Sequence, residues 1–212
     1  MNCDANPDGR GLWQGQTPLL LASKSASRRA LLAAAAIPFD FVDSAIDERA
    51  VETPLLQQGA APATVAAHLA RAKAQAVSKG NEGRLVLGAD QTLEFAGKTF
   101  SKPATISEAR QQLMGFSGQT HALHSALCLA WNDEIVSETV VTARLTCRPF
   151  TDTFVDRYLE AAGDKILSSV GAYQLEGLGV HLFDKIDGDQ TTILGLPMLP
   201  LLEFLRRDGW LT

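Results

Sequence analysis

Cysteine is scarce in this 212-residue chain: Cys3, Cys128 and Cys147 lie far apart, with no CxxC pair among them. That pattern argues against a disulfide framework or a zinc site and fits a reducing, cytoplasmic setting. No apolar run approaches the length that spans a bilayer, so no membrane partner is expected. Aromatic residues make up 7% of the chain and the net charge is −5. Neither suits a module that stacks single-stranded nucleic acid or attracts polyanions in general, so nucleic acid is not an expected partner. Any nucleotide would have to be held by a local cluster of cations. There is no internal repeat, and Gly171, Gly177 and Gly179 do not have the GxGxxG spacing of a dinucleotide fingerprint. Those glycines allow either a close backbone approach or a bulged bend. The first sixteen residues are polar and lack the apolar core of a signal peptide. Residues 1–16 are expected to be a flexible tail and 17–212 a single domain.

What is present centres on LLLASKSASRRALL, residues 19–32. Leu19 to Ala22 read as a buried strand, the hydroxylated run 23–27 as a turn, and Arg28-Arg29 as the first turn of a helix with Leu31, Leu32 and Ala35 on one face. Unpaired N–H groups at a helix start, together with hydroxyls, suit an anion. Two arginines there oppose the helix dipole, and a phosphate chain would account for them. The alternative is that Ser25 or Ser27 caps the helix and both arginines lie in solvent.

Further along, residues 38–43 read as a strand, followed by the acids of SAIDE (44–48) and a loop marked by Pro54, Gly59 and Pro62. Thr64 is the expected N-cap of a helix running to about Ser78, with Lys73 at the margin of its apolar stripe, either snorkelling to solvent or reaching a cleft. RLVLGA, residues 84–89, reads as a central strand with Asp90 at its carboxyl end, where α/β sheets collect ligands; capping a turn is the simpler role for such an acid. A hairpin over 93–100 turns at Gly97 and leaves through Ser101-Lys102-Pro103. Ser107 is the expected cap of a helix to about Phe116. Strands over 121–131 and 135–147 flank a turn at Asn132-Asp133, which places His121 and His124 on opposite faces and gives no metal pair. A helix from Thr151 or Asp152 to Gly163, a strand over 180–186 and a last helix after Pro197 complete the chain.

The conspicuous polar residues are Ser25, Arg28, Arg29, Glu48, Lys73, Asp90, Lys102 and Glu176. Cations with two or three carboxylates are the equipment for metal-assisted attack on a polyphosphate. Mg²⁺ needs only one or two protein carboxylates beside substrate phosphates, so Glu48 and Asp90 would suffice as metal ligands. Taken singly, each of these residues is an ordinary surface charge or cap.

Together the blocks LLLASKSASRRALL, SAIDE, LARAKAQAV, LGADQTLEFAGKTFSKP, FSGQTHALHSAL, GAYQLEGLG and DGDQTTILGLPMLPLL resemble the Maf family of nucleoside triphosphate pyrophosphatases, over residues 19 to about 209. The resemblance implies a hydrolase that converts a nucleoside triphosphate to its monophosphate and pyrophosphate with Mg²⁺ or Mn²⁺. The fold it implies is α/β: a mixed, elongated, twisted sheet flanked by helices, two lobes with a nucleotide cleft between them, often as a homodimer. In that scheme Asp90 is the proton acceptor; Arg28, Lys73 and Lys102 bind phosphate; Ser23 and Ser25 supply turn hydroxyls; and Glu48 lies on the metal side. Where the family commonly reads Ser-Pro-Arg-Arg, this chain has Ser25-Ala26-Ser27-Arg28, without the proline and the first arginine. The positions tied to substrate choice hold Ser27, Gln91 and Glu176. Gln and Glu match the branch acting on 7-methyl-GTP, whereas the dTTP/UTP branch carries Thr and Gln; Ser27 fits neither. A glutamate can accept two hydrogen bonds from the N1–H and N2 edge of guanine, so the expected substrate is guanine-like. A dTTP/UTP pyrophosphatase, or a nucleotide-binding regulator of cell division with little turnover, are the alternatives.

Overall fold

The computed structural model of the chain describes residues 11–212. Most of the expected tail, residues 1–10, lies outside the described residues. Within 11–16, Trp13 is buried and bridges to Leu211, and Gln14 N–H donates to the Trp210 carbonyl at 2.8 Å.

The elements are β1 (Leu19–Leu21), α1 (Ala26–Ala34), β2 (Phe39–Phe41), α2 (Glu48–Gln57), α3 (Pro62–Ser78), β3 (Leu85–Phe95), β4 (Lys98–Phe100), α4 (Ile106–Phe116), β5 (Thr120–Trp131), β6 (Glu134–Cys147), α5 (Asp152–Ala162), β7 (Phe183–Asp187), α6 (Gln190–Ile193) and α7 (Met198–Arg207). Three 3₁₀ turns, Gly163–Ser168, Val170–Ala172 and Leu178–Leu182, join α5 to β7. The seven strands form one mixed sheet in the order β2-β1-β3-β5-β6-β7, with β4 added to β3. β1 runs parallel to both its neighbours, and the other pairings are antiparallel. This is the α/β architecture expected.

One detail of register makes the site. β5 pairs with β3 from Leu85 to Glu94 along one edge. On the other edge β1 pairs only as far as Leu87, and β4, pairing antiparallel, ends with Phe100 opposite Leu93. Residues 88–92 thus face a gap in the sheet, and Asp90 lies inside it. The expected strand end at Ala89 is corrected accordingly: β3 continues through Asp90, and it is the parallel partner that stops.

Alternation along β3 sends even-numbered residues to one face and odd-numbered ones to the other. On the even face α3 lays Ala66, Ala70 and Ala74 on Val86, Ala126 and Cys128. On the odd face Leu32 of α1 and Leu201 and Leu205 of α7 pack on Leu19, Leu21 and Leu87. Further along, Leu93, Leu123 and Leu145 form a separate core with Leu113, Phe116, Val155 and Leu159. The gap in the sheet separates these two lobes.

Four local expectations change. Residues 48–57 form a helix rather than a loop, capped by Asp47, whose Oδ1 accepts from Ala50 N–H; Pro54 sits within it. α3 begins two residues before Thr64, with Pro62 in its first turn, where a missing N–H costs nothing. α4 is capped by Thr105 rather than Ser107. Residues 178–182 are a 3₁₀ turn, and the strand starts only at Phe183. The β5–β6 turn falls at Asn132 and Asp133, both at positive φ (49° and 67°), as expected for a two-residue hairpin.

Candidate active site

A cleft of about 870 Å³ opens at the gap. Ser23, Ser25, Ser27, Arg28, Glu48, Lys73, Asp90, Gln91, Lys102 and Glu176 all line it, so every site residue named from the sequence reaches one hollow. Asp90 and Gln91 are successive in β3 and point to opposite faces, yet both reach the cleft because the missing strand opens the sheet through its thickness.

At the β1–α1 turn, Ser25 is the N-cap and its Oγ accepts from Arg28 N–H. Ser23 Oγ accepts from Ser25 N–H and from Arg28 Nη1, both at 3.2 Å. The hydroxyls serve the turn as acceptors, which leaves their O–H protons for a ligand. Ala26 and Ser27, the first two helical residues, have no helical acceptor for their N–H groups. The capping role and an anion cradle are therefore compatible.

Arg28 is buried rather than in solvent. Its Nε donates to the Gly195 carbonyl (2.8 Å) and its Nη1 to the Ala89 carbonyl (2.9 Å), taking the place of the strand missing beside β3. The Nη2 protons remain for a ligand. Burial lowers the Arg28 pKa, while the charges of Asp90 and Glu48 pull it back up. Arg29 goes elsewhere: its guanidinium carbon lies 4.4 Å from the Phe41 ring centre, a cation–π contact.

Lys73 sits within the buried stripe of α3, and its head does not snorkel to solvent. Its Nζ lies 2.6 Å from Asp90 Oδ1 and 2.7 Å from Glu48 Oε1. The Lys73 and Asp90 side chains are only 8% and 11% exposed, whereas Glu48 is half exposed at 53%. Glu48 opens α2, where the helix dipole favours an anion.

Across the cleft, Lys102 and Glu176 are exposed and come from the second lobe. Gln91 Nε2 lies within hydrogen-bond distance of Ser125 Oγ (2.8 Å) and of the Thr192 and Ile193 carbonyls (3.0 Å each). Carbonyl oxygens only accept, so the amide nitrogen must face them, and Oε1 is the atom left for the cleft.

A family model described as Maf-like protein matches residues 18–208. The chain belongs to the Maf-like family. Among its relatives, a protein of Rhizobium meliloti (strain 1021) named 7-methyl-GTP pyrophosphatase is 51% identical over 191 residues, covering 90% of this chain and 96% of that one. A Rhodopseudomonas palustris (strain HaA2) protein named nucleoside triphosphate pyrophosphatase is 52% identical over 195 residues, covering 92% and 96%. A HAM1 protein from Coxiella burnetii matches in structure with a TM-score of 0.39 and 17% identity, over 62% of this chain and 73% of that one.

Sequence reasoning missed Glu52, which lines the same cleft one helical turn beyond Glu48 in this Maf-like chain. Burial raises its carboxyl pKa, and the negative Asp90 and Glu48 raise it further against Lys73 and Arg49. An i, i+4 carboxylate pair was the available signal, and it went unused because residues 48–57 did not read as a helix. Ser125 and Thr192, which hold Gln91, carry no motif that would have singled them out.

Proposed function

We propose that the cleft binds a nucleoside triphosphate and that the protein hydrolyses it to the monophosphate and pyrophosphate. The observation that carries this is the meeting of Asp90, Glu48 and Lys73 with the serine turn, Arg28 and Lys102 in one hollow. A phosphate chain laid there meets the N–H groups and hydroxyls at the start of α1, the Nη2 of Arg28 and the ammonium groups of Lys73 and Lys102. These oppose the negative charge that grows on the phosphate oxygens as the anhydride breaks. Asp90 takes the proton of a water whose oxygen bonds to the α-phosphorus, while the bond from that phosphorus to the bridging oxygen breaks and pyrophosphate leaves.

A divalent cation fits the donor set: two carboxylates converge on one point, where a cationic head already sits. Glu48 and Asp90 would hold Mg²⁺ or Mn²⁺, which supplies charge neutralisation to the phosphates. Gln91 Oε1 and the Glu176 carboxylate offer acceptors to the base, Ser27 lines the same cleft, and a guanine-like edge of adjacent N–H donors complements acceptors. The relative named for 7-methyl-GTP supports the same choice.

The acting unit in this reading is residues 17–212, working in the cytoplasm as a homodimer. Cys128 and Cys147 are both free and buried, which suits a reducing compartment, and no helix among the described residues is long and apolar enough to cross a membrane. Sedimentation would report the assembly. The deciding experiment mixes the protein and Mg²⁺ with a panel of triphosphates. Monophosphate plus pyrophosphate, fastest from guanine-type substrates, is expected; diphosphate plus orthophosphate, or binding without turnover, would overturn the reading.

A further inference from the structure

Lys73 does not occupy the position expected of a simple phosphate ligand. Its ammonium is bound to the two carboxylates assigned to the cation, at 2.6 and 2.7 Å. We propose that Lys73 is a resident counter-ion that a divalent cation must displace: it holds Glu48 and Asp90 together in the nucleotide-free protein and exchanges them for the phosphate chain when nucleotide and cation arrive. This rests on the carboxylate roles given above.

The charges argue for exchange rather than coexistence. An ammonium only donates, and here it is flanked by two acceptors inside a site that is largely dry on the Lys73 and Asp90 side. A divalent ion approaching Glu48 and Asp90 meets a cluster already half neutralised, with a positive head on the oxygens it needs. Removing that head without replacement would leave Asp90 buried and unpaired, which is strongly unfavourable. A triphosphate solves both problems, since its oxygens accept the Lys73 protons while the cation takes the carboxylates.

The two buried cations of the cleft differ in their freedom to do this. Arg28 is pinned through Nε and Nη1 to the Gly195 and Ala89 carbonyls and to Ser23 Oγ. Among the described residues, the polar partners of Lys73 Nζ are the two carboxylates, and its four-carbon stem can swing the head without moving α3. The fixed guanidinium orients the phosphate, and the mobile ammonium trades places with the metal. Cation and polyphosphate should therefore bind cooperatively, with Lys73 as the source of the coupling.

The test is calorimetric titration of the full chain with Mn²⁺ alone. Lys73→Met and Lys73→Gln should bind Mn²⁺ roughly tenfold more tightly than wild type, and Lys73→Arg no more tightly. Neutral variants that bind Mn²⁺ no better than wild type would overturn the proposal. If those variants fail to fold, the wild-type protein still decides it. The ¹⁵N signal of the Lys73 ammonium, assigned by its loss in Lys73→Arg, should shift on adding Mg²⁺ with a nonhydrolysable triphosphate, and an unmoved signal at saturation refutes the exchange. Product analysis of wild type judges the proposed activity separately, because Mn²⁺ affinity is read without turnover.

Discussion

A Cβ placed on Gly88 would stand 2.1 Å from the carbonyl oxygen of Ala70 and 2.6 Å from the Ala74 nitrogen. The backbone of α3 therefore rests directly on β3 at this glycine, two residues before Asp90. That contact carries Lys73, which lies between Ala70 and Ala74 on the helix, to its 2.6 Å ion pair with Asp90 on the same face of the sheet. Gly88→Ala must push α3 outward. Expected are a loss of roughly 1–3 kcal/mol of stability from overpacking and a fall in turnover, as Lys73 and Asp90 separate. Thermal melts and kcat on one preparation check both, and an unchanged melting temperature would mean the helix can retreat freely.

Asp90→Asn keeps the size of the side chain and removes the proton acceptor. Turnover should fall by about 10² to 10⁴-fold, the usual worth of a positioned base. Arg28, the serine hydroxyls and the start of α1 are untouched, so a nonhydrolysable triphosphate should still bind. Calorimetry for binding and pyrophosphate release for turnover separate the two effects, and a variant that still turns over near the wild-type rate would remove Asp90 from the chemistry.

These residues could be picked out beforehand because the strongest patterns in the chain surround them. The β1–α1 turn, the central strand leading to Asp90 and the Asn132-Asp133 hairpin each combine an apolar run with distinctive chemistry at its end. α2 was hidden for the opposite reason. None of its residues is buried, so no apolar stripe marks it, and Pro54 looks like a breaker. The same blindness concealed Glu52. The gap beside β3 was out of reach for another cause: it depends on β1 pairing only to Leu87 and β4 ending opposite Leu93, a matter of register between distant segments. For that reason Asp90 read as the end of a strand rather than a residue within one.

Exchanging Glu176 for Gln tests how the base is read. A carboxylate can accept from both the N1–H and the N2 amine of a guanine edge, whereas an amide offers one acceptor and two donors. The ratio of kcat/KM for guanine-type over uracil-type triphosphates should drop by roughly tenfold, the value of about one such hydrogen bond in a specificity pocket. Glu176 is exposed in the second lobe, so stability should hardly change. A substrate ranking identical to wild type would take Glu176 out of base selection.

His121 links the second lobe to pH. Its Nε2 lies 2.7 Å from the Tyr173 hydroxyl, its Nδ1 is buried without a partner, and its ring centre lies 4.9 Å from that of Phe116 and 5.8 Å from that of Phe183. Burial pushes its pKa from the ordinary 6.5 down to about 4. Between those values the unfolded chain takes up a proton that the folded ring refuses. The stability tied to this residue is therefore complete above about pH 6.5 and is lost as the pH falls towards 4, by on the order of 3 kcal/mol in full. Melts of wild type and His121→Phe across pH 4.5 to 8 should show it. The variant is less stable at pH 8, having left the Tyr173 hydroxyl without its partner, but its acid slope is shallower. Parallel curves would mean that the folded protein accommodates a charged His121. Tyr173 itself lines the cleft three residues before Glu176, so acid loosening of this pair should first be felt where the base is bound, as a rising KM before any fall in kcat.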